Sequence, residues 1–104
     1  MSVTIPLANR DLPPDCLIFK HSTTCPISAQ AAHEVAHLSI DLPVYQVNVR
    51  EQRELSTWVA STYGVVHESP QVILVGNGVA VRSWSHGQVR REVIEREIAN
   101  RQTV

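Results

Sequence analysis

Apolar residues along the chain follow two spacings, and together they predict alternating strands and helices. Four short runs have strand character, because they are either continuously apolar or alternate with period two. Three longer runs carry apolar residues every three or four positions, which is the spacing of an amphipathic helix. The predicted strands cover residues 15–20, 44–49, 71–75 and 79–84, and the predicted helices cover residues 26–39, 51–63 and 87–100.

The first predicted strand is expected at the centre of a sheet. Its residues 16–19, Cys-Leu-Ile-Phe, are continuously apolar, as in strands that are buried on both faces. The strand–helix–strand order that follows favours a parallel pair with a right-handed crossover. Asn77-Gly78 is the preferred two-residue hairpin turn, so the last two strands should be antiparallel. The sequence therefore predicts an α/β fold, a mixed four-stranded sheet of two parallel strands plus a C-terminal hairpin, flanked by three helices.

Each predicted helix has one apolar stripe that should face the sheet. Gly64 is expected to end the second helix as its C-cap, and Ser85 with Gln88 is expected to form a capping box for the third. Prolines interrupt residues 1–14, which we predict to be an N-terminal arm, with a short extended piece at residues 3–5, before a single domain at residues 15–104. The stripe residues are Ile27, Ala31, Val35 and Leu38, then Leu55, Trp58, Val59 and Thr62 or Tyr63, then Val89, Val93, Ile94 and Ile98.

Composition narrows the class of protein. The 104 residues are 43% hydrophobic and 18% charged, as in an ordinary globular domain, and the net charge is −1. The basic residues form no long run, so we expect no nucleic-acid partner. No apolar stretch approaches the length of a membrane span. The N-terminus lacks the basic and apolar regions of a signal peptide, so we expect a cytoplasmic location in which both cysteines are thiols.

Cys25 is the candidate reactive group. It follows the first strand and precedes a helix whose first position suits Pro26. A cysteine near the N-cap faces unpaired amides and the positive end of the helix dipole, which favour the thiolate and give pKa values of roughly 3.5–7.5. Ser28 lies one helical turn further on, so its hydroxyl can reach back toward Cys25. Since the spacing is Cys-x-x-Ser, Cys25 can form only a mixed disulfide with another molecule. The alternative to a reactive thiol is that Cys25 is a small hydrophobic residue buried in the core.

Two other groups of residues have structural interpretations. Cys16 lies nine residues before Cys25 along an extended strand, at about 3.3 Å per residue, so we expect a core thiol beyond disulfide reach. His33 and His37 share one helix face and could form the edge of a metal site. No third ligand is evident nearby, so we expect an exposed polar face and no metal.

The order of elements, with Cys-Pro-x-Ser after the first strand and Ser-Pro before the third, resembles the thioredoxin fold. Residues 19–28, Phe-Lys-His-Ser-Thr-Thr-Cys-Pro-Ile-Ser, resemble the monothiol bacilliredoxins of the YtxJ type, and the resemblance covers roughly residues 15–99. The family implies an enzyme that removes the low-molecular-weight thiol bacillithiol from protein mixed disulfides. It also implies that Cys25 is the nucleophile and that Ser69-Pro70 is a cis-proline loop, where the backbone of Ser69 pairs with an extended substrate.

The resemblance and the residues together give a set of expected roles. We expect catalysis by Cys25, Pro26 and Ser28, and substrate contacts from Thr24, Ile27, Ser69 and Pro70. Lys20 and His21 are candidates for tuning the thiol pKa, and the alternative for His21 is that it caps the end of the strand. We expect no bound cofactor. Bacillithiol would be the thiol co-substrate, and bacillithiolated proteins would be the partners of a monomer or weak dimer.

Two alternatives stay open at this stage. The first is a redox-inactive binding module of the same fold, which would use the Ser69-Pro70 edge to hold a partner strand. The second is a protein that resembles monothiol glutaredoxins. Those proteins place a basic residue where this chain has Ser22, and a Cys-Asp pair where it has Ser85-His86-Gly87, so glutathione specificity is not expected.

Overall fold

The computed structural model describes residues 4–22 and 26–102, and these residues form one mixed sheet with helices on both faces. All the predicted elements are present, together with one further strand. The elements are β1 (Thr4–Pro6), β2 (Cys16–His21), α1 (Pro26–Ala36), β3 (Val44–Asn48), α2 (Arg53–Tyr63), β4 (Gln71–Gly76), β5 (Val79–Ser85), a short 3-10 helix (His86–Gln88) and α3 (Arg91–Gln102).

The sheet has the order β1-β3-β2-β4-β5. Strands β1, β3 and β2 are parallel, whereas β4 is antiparallel to both β2 and β5. The predicted parallel pair and C-terminal hairpin are therefore confirmed, and β2 is the central strand, as its apolar run predicts. The hairpin turns at Asn77 and Gly78, whose φ angles of 54° and 80° are those of a two-residue turn with both residues left-handed.

The prediction of four strands is one strand short. Thr4 pairs with Val44, so the start of the predicted N-terminal arm is an edge strand of the sheet, and the neighbouring Leu7 is buried. A three-residue strand that ends at Pro6 is too short to show the period-two pattern from which a strand is recognised. A proline there is tolerated because β1 is an edge strand.

The two faces of the sheet have separate cores. In β2, Leu17 and Phe19 face α1 and α3, whereas Cys16 and Ile18 face α2, so both faces of this strand are covered. The first core comprises Leu17, Phe19, Ala31, Val35, Leu38, Val44, Val72, Leu74, Trp84, Val89, Ile94 and Ile98. The second comprises Leu7, Cys16, Ile18, Val47, Val59, Ile73 and Val75.

Two predicted core residues are exposed instead. The side chain of Ile27 is 47% exposed and that of Val93 is 40% exposed. In α1 the residue turned inward at the first turn is Ser28, which is fully buried, and Ile27 lies about 100° around the helix from it. The apolar pattern favours Ile27 over Ser28 as the buried residue, because Ser28 is polar and its burial depends on a hydrogen bond that the pattern does not show.

The helix ends differ by a few residues from the prediction. Helix α1 ends at Ala36 rather than Ser39. After its end, the N–H of Leu38 donates to the carbonyl of Val35, 3.2 Å, which is the three-residue spacing of a 3-10 turn. Gly64 ends α2 with a φ of 64°, as predicted. The predicted third helix begins as a separate 3-10 turn in which Gln88 Oε1 accepts from the Ser85 N–H, 3.1 Å.

Candidate functional site

The segment around Cys25 joins the end of β2 to the start of α1. Cys25 and Thr24 lie outside the described residues, so their predicted roles have no structural account. The residues on either side do have one, since β2 ends at His21 and Pro26 is the first residue of α1. The chain therefore passes from strand to helix within the few residues that contain Cys25.

Ser28 holds the two ends of this segment together. Its side chain is fully buried, and its Oγ accepts a hydrogen bond from the backbone N–H of Ser22, 3.1 Å. The bond links the residue after β2 to the first turn of α1. A serine hydroxyl that accepts one bond still has its own proton to donate. Ser28 therefore fixes the approach to the helix and retains a donor for a nearby anion.

The Ser69-Pro70 loop lies at the same end of the sheet. The Ser69–Pro70 peptide bond is cis, and the Pro70 carbonyl accepts from the N–H of His86, 2.9 Å. The next residue, Gln71, is the first residue of β4, and it pairs with Lys20 near the end of β2. The loop therefore lies at the end of the sheet where β2 ends and the chain leads on to Cys25.

A groove borders this region on the α1 face of the sheet. It has a volume of about 300 Å³, and the exposed side chain of Ile27 forms part of its wall. The opposite wall comes from the 3-10 turn at His86, which is also 3.7 Å from the Glu68 carboxylate. Its lining residues are Ile27, Gln30, Ala31, Glu34, His86, Gly87, Val89 and Arg90.

Lys20 is the only lysine of the chain, and it is fully buried. It pairs with Val47 in the ladder between β2 and β3 and points to the α2 face of the sheet. Its Nζ lies 3.0 Å from Nδ1 of His67, and because an ammonium only donates, the imidazole nitrogen accepts. Burial lowers the pKa of Lys20 to about 8, so the group is still mostly protonated at pH 7.

His67 is a hydrogen-bond partner of Lys20 that the sequence does not reveal. It lies 47 residues from Lys20, and only the pairing of β2 with β4 brings the two together. Burial, and then the Lys20 charge, lower the pKa of His67, although Glu68 raises it in part. A neutral imidazole is the form that can accept from the ammonium, so the shift and the contact agree.

His21 occupies the end of β2. Its ring lies against Phe19, with ring centroids 5.4 Å apart, and its buried Nδ1 has no hydrogen-bond partner among the described residues. Burial lowers the pKa of His21, which favours the neutral ring. A neutral imidazole can accept a proton or a hydrogen bond from the segment that follows.

Cys16 is a core residue, as the sequence predicts. It is a free thiol with no exposed surface, and burial, followed by the charge of Asp15, raises its pKa to about 11. A thiol of this kind stays protonated at neutral pH and is a poor nucleophile. The reactivity of the chain cannot come from Cys16.

His33 in α1 and His37, the residue after its end, are both exposed. The rings of His33 and His37 are 4.3 Å apart, and Nδ1 of His37 donates to the carbonyl of His33, 2.7 Å. Within residues 4–22 and 26–102, no group of three or more metal-ligating side chains is found. In the same part of the chain no helix is long and apolar enough to cross a membrane.

Comparisons with known proteins agree with the fold. A protein of known structure whose description names a thioredoxin fold has 32% identity and a TM-score of 0.81, with 94% of each chain covered. Thioredoxin from Aeropyrum pernix is 15% identical with a TM-score of 0.66, over 83% of this chain and 73% of that one. A malaria-parasite thioredoxin-2 is 13% identical with a TM-score of 0.69, over 96% of both chains. These two distant neighbours show the fold alone.

The resemblance drawn from the sequence is confirmed. The family model described as monothiol bacilliredoxin BrxC matches residues 7–94, which includes β2, the Cys25 segment and the Ser69-Pro70 loop. The chain therefore has a thioredoxin fold, is a thiol–disulfide oxidoreductase, and belongs to the monothiol bacilliredoxin family.

Proposed function

We propose that this oxidoreductase uses Cys25 to remove bacillithiol from protein mixed disulfides. The Cys25 thiolate attacks the sulfur of the bacillithiol cap, a new disulfide forms between them, and the substrate protein leaves as a thiolate. A second bacillithiol, as thiolate, then attacks the cap, so bacillithiol disulfide forms and Cys25 leaves as a thiolate. One mixed disulfide and one thiol give one protein thiol and one disulfide, so no external oxidant or reductant is needed.

The observation that carries the proposal is the hydrogen bond from Ser22 N–H to Ser28 Oγ. It closes the strand-to-helix segment around the fourth residue of a Cys-Pro-Ile-Ser sequence. A cysteine in such a segment faces the unpaired amides of the helix start, which stabilise a thiolate. We expect the Ser28 hydroxyl to donate to the same anion.

Positive charge near the segment supports the same role for Cys25. Lys20 lies five residues before Cys25, and its buried ammonium is weakly screened by solvent. We expect this charge to lower the pKa of Cys25 further, with the neutral ring of His21 nearby as a hydrogen-bond partner. Because Cys16 is buried and protonated, it does not compete and does not resolve the mixed disulfide.

The surfaces on either side of Cys25 suit two kinds of substrate contact. The groove beside Ile27 has about 300 Å³ and mixed polar and apolar walls, which suits a small hydrophilic thiol. Pro70 is buried and Ser69 is only half-buried, so we expect the backbone of Ser69 to pair with an extended segment of the substrate protein. We assign Thr24 to the same contact surface, and we expect the reaction to occur in the cytoplasm.

The test uses one protein capped with bacillithiol and, separately, with glutathione. Each capped protein is incubated with the wild type, Cys25→Ser or Cys16→Ala, and the mass of the enzyme is measured without a second thiol. We expect the bacillithiol cap to move to the wild type and to Cys16→Ala but not to Cys25→Ser. Transfer by Cys25→Ser, or no transfer by the wild type, would contradict the proposal. Equal transfer of glutathione would contradict the specificity for bacillithiol.

A further inference from the structure

A second cavity lies on the α2 face of the sheet, which is the face opposite the Ile27 groove. We name it the α2 cavity. It has a volume of about 330 Å³ and is formed by α2, the residue that follows β3, and the loop that leads to β4. Its lining residues are Val49, Arg53, Ser56, Thr57, Ala60 and His67.

Two positively charged groups lie at the α2 cavity, Arg53 in its wall and Lys20 behind His67, whereas the carboxylate of Glu68, next to His67 in sequence, raises the pKa of His67 in part. Arg53 is exposed at the first residue of α2, where the helix dipole is also positive, and His67 forms part of the wall. The Lys20 ammonium lies 3.0 Å from Nδ1 of His67. No acidic residue is among the described residues that line the cavity, and Glu54, the neighbour of Arg53, is exposed outside it.

A buried hydroxyl also borders the cavity. Ser56 is 3% exposed, and its Oγ has no hydrogen-bond partner among the described residues. Buried polar groups in proteins nearly always have a partner, so an unsatisfied one beside a cavity indicates a ligand group or a water. A hydroxyl donates to an anion, which is the same preference that Arg53 and Lys20 have.

An anion that binds in the cavity could belong to the substrate protein or to the small thiol, and the position of the cavity favours the substrate protein. His67 precedes Ser69 by two residues, and alternate residues of an extended substrate segment lie on the same side. A segment that pairs with the Ser69 backbone therefore brings a side chain two residues from its capped cysteine toward the cavity. The Ile27 groove is next to Cys25 in sequence and lies on the opposite face, so it is the place for the cap.

We infer that the α2 cavity binds the carboxylate of an aspartate or glutamate two residues from the capped cysteine of the substrate protein. This inference rests on the proposed function, since it places a protein segment beside Ser69. Arg53 forms the charged pair with the carboxylate at the rim, Ser56 donates to it, and the Lys20–His67 pair supplies positive charge from below. The cavity thereby selects among capped proteins, because neutral or basic neighbours leave these groups without a partner.

Binding without turnover tests the inference. Short peptides carry a capped cysteine with either Asp or Asn two residues before or after it, and their affinities for Cys25→Ser protein are measured by calorimetry. We expect one Asp peptide to bind about tenfold more tightly than its Asn counterpart, as for a charge-assisted hydrogen bond. In Cys25→Ser protein that also carries Arg53→Gln, the preference should fall to about twofold or less.

The matched control is Arg96→Gln, because Arg96 is exposed on α3, on the opposite face of the sheet. It removes the same charge and should retain the tenfold preference. Equal binding of Asp and Asn peptides at both positions, or equal loss in Arg53→Gln and Arg96→Gln, would overturn the inference. Wild-type turnover of the same peptides is scored separately: an Asp preference in binding with no cap transfer supports the cavity and contradicts the proposed reaction.

Discussion

Replacing Lys20 by methionine should make the protein more stable, since the buried ammonium is a cost to folding. The pKa of Lys20 falls from 10.5 to about 8 because burial penalises its charged form. At 1.36 kcal/mol per pKa unit, the folded state bears about 3 kcal/mol at pH 7 that an apolar side chain of similar length does not. His67 is exposed and can bond to water in the variant, so we expect a gain of about 2–3 kcal/mol in the free energy of unfolding.

The pH dependence separates this charge effect from better packing. At pH 7 and below, the lysine is mostly protonated in both states, and the folded state bears nearly the full cost. Between pH 8 and 10.5 the unfolded chain binds more protons than the folded one, so stability should rise with pH. Cys16 acts in the opposite direction, because its pKa is raised from 9.0 to about 11, and its effect is the same in wild type and variant. The difference between the two proteins therefore isolates Lys20.

The assay is denaturant unfolding of wild type and Lys20→Met at pH 7 and at pH 10.5, under reducing conditions. The stability difference should be largest at pH 7 and should shrink by at least half at pH 10.5. Arg96→Met is the control, and removal of that exposed charge should change stability by no more than about 0.5 kcal/mol. A variant that is less stable than wild type at pH 7, or a difference that does not depend on pH, would refute the reasoning.

Two further predictions concern Ser28, which bonds to Ser22 beside the Cys25 segment, and Cys16, the buried thiol of the core. Ser28→Ala should lower the free energy of unfolding by about 1–3 kcal/mol, because the buried N–H of Ser22 loses its acceptor. The control is Ser83→Ala at an exposed position, which should have little effect, and equal effects of the two substitutions would contradict this role for Ser28. Cys16 should resist iodoacetamide at pH 8 in the native protein and react once the protein is unfolded, as measured by peptide mass spectrometry; rapid native alkylation would contradict its burial and its raised pKa.

The elements with strong local signals were predictable from the sequence. The continuous apolar run of β2 indicated a central strand, and Asn77-Gly78 and Gly64 indicated a hairpin turn and a helix end, because each requires a left-handed backbone. These features depend on residues that are neighbours in sequence. The family resemblance added the position of the Ser69-Pro70 loop.

The features that sequence reasoning missed depend on contacts between distant segments. Strand β1 forms because β3 offers it a partner, and three residues carry no periodic signal of their own. The apolar stripe of α1 placed Ile27 in the core, whereas the buried residue of that turn is Ser28, whose bond to Ser22 no pattern shows. Lys20 was a candidate from its place near Cys25, but its partner His67 is visible only after β2 and β4 pair.

The ionisation of Cys25 is the central claim, and its alkylation rate as a function of pH tests it most directly. The measurement uses the Cys16→Ala protein, so that a single thiol reacts with iodoacetamide. The helix start, the Ser28 hydroxyl and the buried Lys20 charge predict a rate that reaches half its maximum below about pH 7.5. A midpoint near pH 8.5, the value of an ordinary free thiol, or a native protein that does not react at all, would contradict the account.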